Sequence, residues 1–213
     1  MIPMTIHPAS DDALLVVDVQ NDFLPGGALA VPDGDAIVAP INALARGFEH
    51  VVLTQDWHPR GHLSFASSHP GHAPFSTTRL PYGEQVLWPD HCVQGTRGAA
   101  FADTLDIPHA ELVLRKGYRG AIDSYSAFVE ADGRTPTGLA GYLRERGLGR
   151  VLLVGLATDF CVAFSAVDAR RAGFEAIVLE DLCRAIDTQG SLATGWRNME
   201  AAGVLRVSSD TID

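Results

Sequence analysis

Five of the eight histidines, His58, His62, His69, His72 and His91, fall in one stretch of chain that also carries Asp56. Imidazole and carboxylate suit borderline divalent metals, and a set of two His and one carboxylate leaves coordination positions open for water or a ligand. Asp56 and His58 stand two apart, so in extended chain at a strand end both side chains point the same way and can share one ion. His91 sits in Trp88-Pro-Asp-His-Cys-Val-Gln-Gly95, where proline and an aromatic neighbour restrict the backbone. His58 and His62 have the spacing of a helix face, but Pro59 and Gly61 argue against a helix there, and that pair is discounted. His69 and His72, in His69-Pro-Gly-His72, read as a solvent-exposed turn. Spacing alone leaves a metal loop and a merely polar loop both open.

A second chemistry is offered by Cys161, six residues after Gly155, where an apolar run turns into a helical pattern. Backbone N–H groups at a helix start stabilise a thiolate and can receive an oxyanion. The alternative is a small buried hydrophobe, the role to which Cys92 and Cys183 default. A nucleophilic thiol needs a base. Asp18 ends a run of five apolar residues, so it is either a carboxylate aimed into a cleft or a cap for the next turn. Lys116 ends another apolar run and either pairs with Asp18 or is a solvated strand terminus. The chain has no G-x-S-x-G, P-loop, H-E-x-x-H or G-x-G-x-x-G motif.

The elements that must position these groups alternate between β-branched runs and helical stretches, as in parallel strands joined by crossover helices. Strands are expected at 13–18, 51–55, 111–115, 151–154, 176–179 and 204–207. Helices are expected from Asp33 or Asp35 to about Phe48, and over 137–146, 159–172 and 191–202. Between Trp57 and about Phe101, five prolines and several glycines forbid long helices and interior strands, predicting a long functional loop. The pattern predicts one α/β domain over 1–213, a doubly wound, mostly parallel six-stranded sheet with helices on both faces and this loop inserted. Ligands of such sheets bind beyond the carboxyl ends of the strands, which is where Asp18, Asp56, Lys116 and the segment after Val154 lie.

At 213 residues, 46% hydrophobic and 20% charged, the chain can bury a full core. A net charge of −10 has the wrong sign for nucleic acid, so none is expected as a partner. No apolar run approaches the roughly 20 residues of a membrane helix, and no signal peptide is read at the N-terminus. An odd number of cysteines, three, suits free thiols in the cytoplasm. The sequence leaves a homo-oligomer open.

Together the motifs resemble the nicotinamidases, which also act on pyrazinamide and belong to the isochorismatase-like cysteine hydrolases. The likeness rests on Asp18-Val-Gln-Asn-Asp-Phe-Leu-Pro-Gly-Gly27, Gln55-Asp-Trp-His-Pro59, Trp88-Pro-Asp-His-Cys-Val-Gln-Gly-Thr96, Lys116-Gly117 with Asp123-Ser-Tyr-Ser-Ala-Phe128, and Ala157-Thr-Asp-Phe-Cys-Val162. It implies a catalytic triad of Asp18, Lys116 and Cys161, and one divalent ion held by Asp56, His58 and His91, zinc first with iron or manganese as alternatives. Ser64 would be a fourth metal contact, directly or through water. Phe23, Trp88 and Tyr125 match positions that enclose the substrate ring. A cis peptide before Ala157 would aim the N–H groups of Ala157 and Cys161 at an oxyanion. The implied reaction is hydrolysis of nicotinamide to nicotinate and ammonia in NAD salvage. Isochorismatases lack the nucleophilic cysteine, and carbamoyl amidases of the same fold lack this metal set. A metal-independent carbamoyl amidase and a non-catalytic zinc-stabilised binding protein are the alternative readings. Residues 118–122 receive no role.

Overall fold

Strand β1 (Asp12–Val17) is buried along its whole length in the computed structural model, which describes residues 5–213. Its side chains alternate between two cores: Leu14 and Val16 enter one, Ala13, Leu15 and Val17 the other. Each of the Leu and Val side chains contributes about 1.5–3 kcal/mol by leaving water. The same alternation holds in a later strand, where Leu152, Val154 and Leu156 face the first core and Val151 and Leu153 the second.

The strands that follow are β2 (His50–Asp56), β3 (Thr77–Leu80), β4 (Gly83–Val86), β5 (Leu112–Lys116), β6 (Arg150–Leu156), β7 (Glu175–Arg184) and β8 (Leu205–Val207). Six of them form one parallel sheet in the order β5-β2-β1-β6-β7-β8. From β1 the chain winds outward through β2 and β5, then returns to β6 on the other side of β1. The switch point therefore lies between β1 and β6, beyond whose carboxyl ends a ligand crevice opens. Helix α1 (Val38–Ala45) packs on the first core, and α2 (Leu139–Glu145), α3 (Ala163–Arg171) and α4 (Ser191–Ala201) pack on the second. This is the expected doubly wound α/β architecture.

Three details differ from the sequence reading. The helix expected from Asp33 begins as a 3-10 turn, Gly34–Ile37, and Asp33 (φ 52°) makes no capping hydrogen bond. Strand β7 runs past residue 179 to Arg184, its pairing with β6 shifting register between Leu153 and Gly155. Gly155 (φ +115°) is required there, because a Cβ would strike the Val17 carbonyl oxygen across the β1–β6 approach. The irregular excursion contains an antiparallel hairpin, β3–β4, lying outside the main sheet. Its half-exposed four-residue strands carry too few apolar residues to signal themselves.

Candidate active site

The sheet brings the charged residues together by register. Asp56 and Lys116 are the last residues of β2 and β5 and are directly paired. Asp18 follows β1 in a left-handed conformation (φ 49°), which turns its carboxylate back over the strand end. The Lys116 ammonium, fully buried, lies 2.7 Å from Asp18 Oδ2 and 2.7 Å from Asp56 Oδ1, donates to Ser124 O at 3.0 Å, and reaches Cys161 Sγ at 3.4 Å. Thr54 donates to Asp18 Oδ1 at 2.6 Å and accepts the Asp18 N–H. Asp18 Oδ2 is in ion-pair contact with Lys116 but accepts no aligned hydrogen bond, so it is a buried acceptor with spare capacity.

Burial acts on every member of this cluster, with different net results. It raises the Asp18 carboxyl above its ordinary value despite the opposing pull of Lys116. Asp56 is equally buried, but Lys116 and His58 overcome that and hold it well below the carboxylate range. Burial pushes the Cys161 thiol well above its usual value, against the lowering effect of Lys116. For Lys116, the two carboxylates outweigh burial and keep the ammonium charged. The rest state is therefore a thiol beside a carboxylate of raised basicity, a suitable arrangement for proton transfer.

Asp56 turns its other oxygen, Oδ2, to His58 Nε2 at 3.3 Å and His91 Nε2 at 3.5 Å, and the three donors fall within 4.8 Å of one another. His58 Nδ1 is 2.9 Å from Gly117 O and His91 Nδ1 is 2.8 Å from Pro89 O. Each Nδ1 thus carries the proton and each Nε2 lone pair is left for a metal. Lys116 supplies one positive charge against the two carboxylates, leaving this buried cluster short by one. The donor set and the charge deficit both fit a divalent cation.

The structure reverses one discounted pairing. No helix joins His58 to His62, as Pro59 and Gly61 require, yet their rings lie 4.5 Å apart because the loop folds back. His62 Nε2 faces the carbonyls of Arg119 and Ile122 at 3.0 and 3.3 Å, while its Nδ1 is 2.7 Å from Ser64 Oγ. His58, His62 and Asp123 form a second buried group of donors that could hold an ion. Ser64 is fully buried, and its hydroxyl is directed to His62. Of the histidines expected in solvent, His72 is exposed, but His69 is half-buried with Nε2 2.8 Å from Leu63 O. Within residues 118–122, Arg119 and Ile122 hold the His62 imidazole through backbone carbonyls, as Gly117 just before them holds that of His58, which no side-chain pattern reveals.

Cys161 lies in a turn of π-helix, Thr158–Val162, leading into α3, after a cis Leu156–Ala157 peptide. Phe160 N and Val162 N both donate to Ala157 O, a pattern that passes over the intervening N–H of Cys161. A narrow cavity above Cys161 is lined by Phe23, Leu29, Trp88, Tyr125, Phe160 and Ile186, and by Asp56, His58, His91 and Asp123 at its polar end. Trp88 Nε1 donates to Tyr125 Oη at 2.9 Å, fixing two of its walls. A larger groove between α3 and α4 contains none of the converging groups, so the chemistry belongs to the smaller cavity. Sequence reasoning gave no role to Phe160, Leu29, Ile186, Thr54 or Gln20. Gln20 accepts Asp56 N–H and donates to Asp56 O, both at 2.8 Å, clamping the β2 end to β1.

The isochorismatase domain model matches residues 12–211. The chain belongs to the isochorismatase domain family. Within that family it is 56% identical to the nicotinamidase of Acinetobacter baylyi over 212 residues, covering 100% of this chain and 99% of the relative. The solved Acinetobacter baumanii nicotinamidase/pyrazinamidase superposes with a TM-score of 0.94 at 57% identity, over 95% of this chain and 98% of that one. The pyrazinamidase of Pyrococcus horikoshii in complex with zinc gives 0.75 at 35% identity, over 93% and 99%. No helix among the described residues is long and apolar enough to cross a membrane.

Proposed function

We propose that this isochorismatase-family chain, read as one domain over 1–213, is a nicotinamidase that hydrolyses nicotinamide to nicotinate and ammonia and accepts pyrazinamide. The observation that carries the reading is the buried Asp18–Lys116–Cys161 cluster, whose thiol lines one narrow cavity together with the Asp56–His58–His91 donor set. The names of the close relatives support the substrate.

The geometry supports the following steps. Asp18 Oδ2, with its spare lone pair, takes the Cys161 proton as sulfur attacks the amide carbon. The Lys116 ammonium, 3.4 Å from Sγ, steadies the charge on sulfur while keeping Asp18 oriented. The N–H groups of Ala157 and Cys161 hold the tetrahedral oxyanion. Asp18 returns its proton to the leaving nitrogen, and ammonia departs from a Cys161 thioester. Water then loses a proton to Asp18 and attacks the thioester carbon, releasing nicotinate and the thiol. Phe23, Trp88 and Tyr125 enclose the ring. Asp56, His58 and His91 would hold the divalent metal, with Ser64 nearby through His62; when bound, it supplies a Lewis-acidic anchor for the pyridine nitrogen. Zinc is the first choice, supported by the zinc complex of the Pyrococcus horikoshii relative.

Three buried cysteines without disulfides support a reducing compartment, the cytoplasm, and the product supports a place in NAD salvage. The test is ammonia release from nicotinamide, and from a carbamoyl amine for comparison, by metal-quantified protein. Release from nicotinamide supports the reading. Release only from the carbamoyl compound, independent of metal, would replace it with the carbamoyl-amidase alternative.

A further inference from the structure

The turn that carries the nucleophile also holds a wall of the cavity. Asp159, two residues before Cys161, is buried and directs its carboxylate to the chain that follows β7. Oδ1 accepts the Ile186 N–H at 3.1 Å; Oδ2 accepts the Asp187 N–H at 2.8 Å and the Ser191 hydroxyl. A capping aspartate would bond to its own turn, but these partners lie 27, 28 and 32 residues further on. The first two belong to the connection from β7 to α4, which is left-handed at Asp187 (φ 51°), Gln189 (φ 53°) and Gly190 (φ 78°), and Ser191 is the first residue of α4. Two of those residues have side chains that disfavour such backbone, so the connection needs outside bonds to keep its shape. Ile186, the residue of this connection that lines the cavity, is held through its own N–H.

We propose that Asp159 is a positioning residue for substrate selection: it fixes Ile186 against the ring site, so that the cavity admits an unsubstituted pyridine amide and rejects ring-substituted ones. The inference rests on the nicotinamidase reading. One carboxylate ties the position of the wall to the position of the attacking sulfur, so a ring that fits against Ile186 has its amide in register with Cys161.

The test is kcat/KM for nicotinamide and its 4-, 5- and 6-methyl derivatives in the wild type, Ile186→Ala, Asp159→Ala, the double variant and Ser191→Ala. A methyl group in an apolar pocket is worth about tenfold in selection or more, so Ile186→Ala should relieve rejection of one methyl position by roughly that factor. Asp159→Ala should relieve the same position, Ser191→Ala less so, and the double variant should show no more relief than Ile186→Ala alone. Wild-type selectivity in Asp159→Ala, or relief that multiplies with that of Ile186→Ala, overturns the proposal. Should Asp159→Ala fail to fold, Ser191→Ala carries the test, with unchanged selectivity again overturning it. A wild type that releases no ammonia from nicotinamide refutes the underlying reading as well; normal release with unchanged selectivity in the variants refutes the positioning role alone.

Discussion

Replacing Lys116 with Met keeps most of the side-chain volume and removes the ammonium that stands 2.7 Å from each of two buried carboxylates. None of the three groups is in appreciable contact with water, so solvent cannot take over the lost charge. Removing one partner of a buried ion pair costs about 3–5 kcal/mol. At about 2–4 °C per kcal/mol for a domain of this size, Tm should fall by roughly 6–20 °C. The loss should depend on pH in a defined direction. Asp18 is already raised by burial, and losing Lys116 raises it further, so the folded variant holds a proton that the unfolded chain has released. Stability should therefore be greatest below the unfolded value of about 3.9 and decline as pH rises from there through the folded value. Adding Asp18→Asn should recover part of the loss by removing one of the two facing charges. The assay is urea unfolding across pH for the single and double variants. A destabilisation under about 1 kcal/mol, with no dependence on pH, would refute the buried-cluster argument, since that is the scale of a solvent-screened surface pair.

Three further outcomes follow from the same geometry. Gly117→Ala should lower metal content and activity together, because Gly117 is left-handed (φ +66°) and a Cβ would strike the His58 ring; metal analysis of the purified variant checks this, and full metal content would contradict it. The acid limb of kcat/KM should lie above the ordinary aspartate value of about 3.9, because burial raises Asp18 and only its ionised form accepts the thiol proton; a limb at or below that value would exclude Asp18 as the base. Chelation should abolish the preference for nicotinamide over benzamide, and zinc should restore it. Equal kcat/KM for the two amides in metal-loaded protein would rule out anchoring of the ring nitrogen.

The fold was legible because β1 and β6 are continuous apolar runs ending in polarity, which placed Asp18 and the segment before Cys161 at strand ends. Asp56, His58 and His91 were legible for a similar reason: imidazoles and a carboxylate were concentrated in a loop too rich in proline to be core. Two kinds of information were absent from the pattern. Pro59 and Gly61 rule out a helical pairing of His62 with His58, but loops pair residues through backbone reversal, and the partners of His62 are the carbonyls of Arg119 and Ile122, which have no residue-type signature. Phe160 and Ile186 meet in one cavity only because the sheet places β6 beside β7. The signals that could have drawn attention were Thr54, a polar residue inside an apolar strand, and Gln20, an amide three residues past the end of β1.

The role of Cys161 as the attacking group is tested most directly by acid quenching during steady-state turnover of nicotinamide, followed by peptide mass spectrometry. The prediction is that the peptide carrying Cys161 gains the mass of one nicotinoyl group, that the peptides carrying Cys92 and Cys183 do not, and that Cys161→Ala shows neither adduct nor ammonia release. Sustained ammonia release by Cys161→Ala, or a nicotinoyl group found on another residue, would contradict it.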